Sequence, residues 1–363
     1  MIKRDTLLWL SSIDVIGQKT MKNIFEVIGY PERIHEIDLD TLKGYVNNAV
    51  IEKLKESDFE RDIKKYKERL EKAKVSFVTL WDKDYPERLK YIPDQPYILF
   101  YKGDISLASA KHSVAMVGAR GPSQYGVDAA KDISGGLARK GAVIVSGMAS
   151  GIDSICHRAA IDAGGKTIAV LGSGINVCYP RCNIGLYSEI CENHLVISEN
   201  GLDIEPFPYS FPIRNRIVSG LSDGVAVIEA REKSGSLITA ELALAQNKNL
   251  YALPGRIYDP LSKGTNALLR EGAAMAIDSC SSIIKDVFME SDESPEINNI
   301  LSIDISDKEK AIFKVFGSDE IYIDDLIAMT GLKSGELMSL LIRLEQKKMI
   351  KETERGYYQK IRR

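Results

Sequence analysis

Between residue 75 and about residue 280, short apolar runs rich in branched side chains alternate with longer stretches of helical spacing. The runs predict strands over 75–80, 98–101, 114–117, 143–146, 167–171, 195–198, 225–228 and 250–252. From Val114 onward most of them are apolar at every position, as in strands covered on both faces of a parallel sheet. The intervening stretches predict helices over 127–140, 154–163, 184–193, 237–246 and 265–271. Alternation of this kind predicts an α/β fold with a Rossmann-like, doubly wound, mostly parallel sheet over 75–282.

The flanks have a different texture. Residues 1–72 read as a helical module: an apolar helix at 6–10, a loop at 13–17 ending in Gly17, and a second helix at 19–28. That order fits a helix-hairpin-helix, whose loop amides can hold a phosphate, or a plain helical packing module. The mixed-charge stretch 52–74 reads as a solvated helix face. Residues 283–305 predict a linker, acidic and polar from Asp286 to Asn299, with Ser291, Ser294 and Pro295. Residues 306–363 predict helices at 308–316, 323–329 and 333–347, with Gly331 in a turn, and then a short hairpin: a winged-helix domain.

The chemistry concentrates where the strands end. In an open parallel sheet, ligands sit outside the C-terminal ends of the strands. Here four such ends carry small residues. The first has Gly118-Ala119-Arg120-Gly121, the second Ser146-Gly147 through Gly151, the third Gly172-Ser173-Gly174, and the fourth Ser234-Gly235-Ser236 at the start of a helix. Small residues let a ligand approach backbone N–H groups at helix N-termini, an arrangement that binds phosphate. The dinucleotide fingerprint is missing from the first turn, and no acidic residue follows the second strand to hold a ribose. A nicotinamide cofactor and a P-loop are therefore not expected.

A second cluster runs from Phe207 to Arg216 and sets aromatics beside Arg214, Asn215 and Arg216. Aromatic faces stack bases, and Arg and Asn meet phosphate or base edges. The alternative is that Phe211 plugs the core and that Arg214 and Arg216 pair with Glu199 and Glu229. A catalytic centre is hard to assemble. The chain has 4 His residues, and Asp153 with His157 reads better as a helix cap and a packed ring than as a nucleophile-activating pair. No metal-ligand spacing stands out.

Composition narrows the partners. A net charge of -3 rules out a uniformly basic nucleic-acid glove, so any such site is local. The 5 cysteines lack a CxxC pair and fit reduced thiols in a cytoplasmic protein. Lys3, Arg4 and Asp5 precede an apolar run too short for a secretory core, and no run reaches membrane-spanning length.

The ordered motifs resemble those of the DNA-processing protein A (DprA/Smf) family: Val114–Arg120, Ser146-Gly147 through Gly151-Ile152-Asp153, Leu171-Gly172, Tyr179-Pro180, Phe211-Pro212 with Arg214-Asn215-Arg216, Ser234-Gly235-Ser236-Leu237, and Pro254-Gly255. The resemblance implies a non-catalytic protein that binds single-stranded DNA without sequence preference. It also implies a homodimer, no cofactor, and loading of the RecA recombinase during natural transformation or recombination. Carried over by position, it places Gly118, Arg120, Ser146, Gly147, Gly151, Gly172, Phe211, Arg214, Asn215, Arg216, Ser234, Gly235 and Ser236 around the DNA, closed by Lys263, Gly264 and Asn266. One departure stands out: Pro208 occupies a position where some relatives carry Lys. The flanks resemble the sterile-alpha-motif-like or helix-hairpin-helix domain and the winged-helix domain of some members. The same Gly-rich fold also occurs in nucleotide phosphoribohydrolases, which is the enzymatic alternative, with Glu241 as the nearby carboxylate.

Overall fold

The computed structural model describes residues 2–288, 306–316, 320–347, 349–354 and 356–360. The chain divides into two units, Met1–Glu290 and Ser291–Arg363.

The first unit is built on a nine-stranded sheet. Its strands are β1 (Ser76–Thr79), β2 (Ile98–Gly103), β3 (Ser113–Val117), β4 (Val143–Ser146), β5 (Thr167–Gly174), β6 (Leu195–Asn200), β7 (Gly224–Val227), β8 (Asn249–Ala252) and β9 (Met275–Ala276). They lie in the order β1-β2-β6-β5-β4-β3-β7-β8-β9. From β6 to β9 every neighbouring pair is parallel, whereas β1–β2 and β2–β6 are antiparallel. The all-apolar runs have their explanation here: β3, β4 and β5 are buried at every position. The sequence pattern misses β9, whose two residues are too short to show a period. The crossover helices are α5 (Gln124–Arg139), α6 (Ile152–Asp162), α7 (Ile184–Asn193), α8 (Ser210–Gly220), α9 (Gly235–Ala245), α10 (Lys263–Arg270) and α11 (Cys280–Phe288). The expected linker start at residue 283 falls inside α11, where Ile283, Ile284 and Val287 complete an apolar cluster with Val114, Ile133 and Leu137.

The N-terminal helices are α1 (Ile2–Ser11), α2 (Gln18–Ile28), α3 (Asn48–Glu56) and α4 (Phe59–Lys72). Two of them divide the stretch expected to be one solvated face: Asp58 caps α4 with a side-chain bond from Arg61 N, and α4 buries Ile63, Tyr66 and Leu70. This layer has no separate core. Leu7, Ile24, Leu54 and Tyr66 share one apolar cluster with Phe100, Leu171 and Val196 of the sheet, so no break falls at the expected boundary near residue 72. Leu202 N–H donates to the Tyr66 hydroxyl at 3.2 Å. A Cβ on Gly201 would come within 2.0 Å of that hydroxyl, and Arg69 pairs with Asp203 at 2.8 Å.

The second unit contains α12 (Asp307–Val315), β10 (Ile321–Tyr322), α13 (Ile323–Thr330), α14 (Ser334–Gln346), β11 (Ile350–Glu354) and β12 (Tyr357–Lys360). Its sheet runs β10-β12-β11. Ile312, Leu326, Leu337, Leu341 and Ile350 form its core. Ser306 and Glu309 make a reciprocal capping box on α12. Residues 347–363 are rich in Lys and Arg, and part of that charge is spent on this fold. Lys347 reaches the buried Glu309 at 3.0 Å, and Lys360 lies 4.2 Å from the Phe313 ring centroid. Lys351 is exposed, whereas Lys348, Arg355, Arg362 and Arg363 lie outside the described residues.

Candidate single-stranded DNA interface

The chain winds outward from β3 through β4 and β5 to β6, then returns to lay β7 on the other side of β3. Loops leaving β3 and β7 therefore part in opposite directions and open a crevice between them. Its floor is closed by Glu229, which is 1% exposed. Ser123 donates to this carboxylate from its backbone N–H at 2.9 Å and from its hydroxyl at 2.5 Å. The same hydroxyl accepts from Gly126 N–H at 3.1 Å and caps α5. A Cβ on Gly126 would stand 2.4 Å from the carboxylate, so glycine there lets the helix start against a buried charge.

The second loop is held from beneath. Asp153 accepts from Gly147 N–H at 3.1 Å and Ala149 N–H at 3.3 Å. Arg214 donates to Gly147 O at 2.7 Å and to Val170 O. Burial pushes the Asp153 carboxyl up from its ordinary value, and Arg214 draws it back. Burial lowers the guanidinium to about 10 against the pull of Asp153. Gly147 lies between them: a Cβ would meet Arg214 Nη2 at 2.6 Å and Asp153 Oδ2 at 2.8 Å. Gly151 has φ +79°, and a Cβ there would reach Ala119 O at 2.4 Å. The first two loops thus lock together through glycines that no other residue replaces without movement.

Arg214 was expected at the DNA surface, but it is buried as a strut under the loops. Arg216, expected beside it, is also buried. It forms a two-bonded pair with Glu199, at 2.7 Å and 2.5 Å. Glu229, the other expected partner, takes Ser123 instead. Ser146 is buried as well, with its hydroxyl donating to Met116 O at 2.6 Å. Asn266 is spent on Gly255, accepting from its N–H at 3.1 Å and donating to its carbonyl at 3.0 Å. Gly264 N–H donates to Ala230 O at 2.8 Å. In each case the motif residue fixes a loop that carries the surface. His157 is buried, with Nδ1 2.6 Å from Thr167 Oγ1, and burial pushes it down to about 3.

Other residues face outward at this edge. Arg120 is exposed, with its guanidinium 5.6 Å from the Phe211 ring centroid. Tyr179, 45% exposed, meets Phe211 from another side at 5.6 Å between centroids. Gly172 makes room for the Phe211 ring, since a Cβ would lie 3.0 Å from Phe211 Cδ1. Phe211 and the residues after it lie within α8, which begins at Ser210. Asn215 Nδ2 donates to Gly235 O at 3.4 Å and brings α8 to the start of α9. There the Ser234 and Ser236 hydroxyls lie 2.7 Å apart. Lys263 is exposed near Glu232 at 3.7 Å. The sequence showed Tyr179 as part of a motif but not as a site residue, and it did not single out the exposed cations Arg181, Arg231, Lys233 and Arg256. Their signal is position: each follows the C-terminal end of a parallel strand. Among the described residues, no group of three or more His, Cys, Asp or Glu is placed to hold a metal ion.

Residues 76–288 match the family model described as DNA recombination-mediator protein A. The chain belongs to that family. A DprA relative from Bacillus subtilis is 43% identical over 199 residues, covering 55% of this chain and 67% of that one. One from Streptococcus pneumoniae is 41% identical over 260 residues, covering 70% and 90%. The crystal structure of the Streptococcus pneumoniae DprA superposes with a TM-score of 0.69 at 36% identity, covering 78% of this chain and 98% of that one. A Helicobacter pylori DprA structure, described as giving insight into that protein's unique single-stranded DNA binding mode, superposes with a TM-score of 0.54 at 35% identity, covering 59% and 96%. The family match takes in the whole sheet, from β1 to β9, together with α11.

Proposed function

We propose that this chain binds single-stranded DNA across the C-terminal edge of the sheet, without sequence preference, and loads RecA recombinase on it during natural transformation or recombination in the cytoplasm. The observation that carries the reading is the cluster of exposed Arg120 and Tyr179 on the half-buried Phe211 ring, set where α5, α6 and α9 present their N-termini. Aromatic faces take bases, the guanidinium takes phosphate, and helix N-termini favour anions. Family membership and the DNA binding described for the Helicobacter pylori relative support it. The use made of the carboxylates supports a binding role. Asp153 and Glu229 are committed to loop amides and Ser123, and Glu241, the carboxylate the phosphoribohydrolase alternative needs, is exposed on α9 away from its N-terminus.

The homodimer is proposed at the β9 edge, where Met275 is exposed beside α10. Ile277, just beyond β9, is buried in the core. The second unit is proposed as a winged helix that adds weak backbone contact or a protein contact. Among the described residues, no helix is long and apolar enough to cross a membrane. Fluorescence anisotropy with matched single strands and duplexes tests the central claim. Single strands bind more tightly, affinity falls steeply with salt, and unrelated sequences bind alike. Equal binding of duplex, or strong dependence on base order, overturns it.

A further inference from the structure

The turn leading into α8 carries two aromatic rings that the core does not use. Phe207 is 47% exposed and Tyr209 66%. Their rings are nearly parallel, at 8°, with centroids 5.6 Å apart. Rings in contact stand roughly 3.5 Å apart plane to plane, so the pair is offset by about 4 Å, a stepped stack of the kind aromatic pairs prefer. The step is rigid. Pro206, Pro208 and Pro212 restrict the backbone around it. The Ser210 hydroxyl donates to Phe207 O at 2.7 Å and accepts from Phe207 N–H at 3.2 Å, while Ser210 N–H donates to the same carbonyl at 3.0 Å. Two flat faces are thus held in water at little further entropic cost on binding. Phe211, the centre of the first cluster, follows two residues after Tyr209.

We propose that Phe207 and Tyr209 form a second base-stacking step, which takes unpaired bases farther along the strand that Arg120, Phe211 and Tyr179 engage. The inference rests on the single-stranded DNA reading above and adds a division of labour to it. Near Arg120 the strand is held by charge and stacking together, and on the second step by stacking alone. Pro208, between the two rings, brings no charge.

The test uses the full chain with labelled oligo-dT of 5 and 15 nucleotides at several salt concentrations. The variants are Phe207→Ala/Tyr209→Ala, Phe207→Leu/Tyr209→Leu and Phe211→Ala. Both rings are exposed, so the double variants fold, and circular dichroism checks this. The double alanine variant loses between about fivefold and about a hundredfold in affinity for the 15-mer, little for the 5-mer, and keeps the wild-type salt slope because no phosphate contact is removed. The leucine pair, apolar but without π-faces, behaves like the alanine pair. If both double variants bind the 15-mer like wild type while Phe211→Ala weakens it, the second step is wrong and the parent reading stands. Recovery of affinity by the leucine pair, or a flatter salt slope, also overturns it. A wild-type chain that binds neither oligonucleotide overturns both.

Discussion

Replacing Arg214 with Met separates a strut from a DNA contact. The substitution keeps the apolar stem and removes the guanidinium that donates to Gly147 O and Val170 O and faces Asp153. Removing it leaves two buried carbonyls without that donor and Asp153 without its facing charge, which together cost about 3–5 kcal/mol. At roughly 2–4 °C per kcal/mol for a unit of this size, the melting temperature falls by about 6–20 °C. The loss depends on pH. The Asp153 carboxyl is already raised above its ordinary value of 3.8 by burial, and Arg214 is its largest counterweight. Without Arg214 it rises further. Between its unfolded and folded values the native state then binds more protons than the unfolded state, so stability falls as pH rises through that window. Thermal unfolding followed by circular dichroism shows a larger deficit at pH 8 than at pH 5. A variant that melts within about 2 °C of wild type at both pH values, yet has lost DNA affinity, would refute this account and return Arg214 to the surface.

Arg120→Ala has the opposite signature: the melting temperature is unchanged, single-stranded DNA affinity falls several-fold, and the salt slope decreases by about one phosphate contact in anisotropy titrations; wild-type affinity at matched salt contradicts the assignment. His157, pushed down to about 3 by burial, is neutral when folded. Its contribution to stability is full above the ordinary value of 6.5 and is lost as pH falls toward 3. The unfolding free energy of His157→Gln is therefore lower at pH 7 but falls less steeply below pH 6, and an unchanged acid limb counts against it. A chain ending at Glu290 keeps the first unit's core and most of the single-stranded DNA affinity; complete loss of binding in a gel shift places the main site elsewhere.

The parallel sheet was legible because β3, β4, β5 and β7 are buried at every position, which leaves their sequences as short, nearly unbroken apolar runs. The strand-end glycines were legible as a candidate site for the same reason. Whether a motif residue faces solvent was not. Arg120 and Arg214 are the same residue type in motifs of equal weight, yet one is exposed and the other lies behind Gly147. That difference is set by Asp153, 61 positions before Arg214 in the chain, which no local pattern connects to it. The N-terminal helices showed their apolar stripes but not what covers them. The partner turned out to be Phe100 and its neighbours on the antiparallel side of the sheet.

That shared core reaches farther than stability. The Tyr66 hydroxyl and Arg69 grip the chain at Leu202 and Asp203, a few residues before the rigid turn bearing Phe207 and Tyr209. The N-terminal layer is therefore the anchor for one end of the segment that displays the rings. A chain with a different layer in this place would keep the loops but not the anchor. Changes in how the rings are displayed can then arise at positions far from the rings themselves.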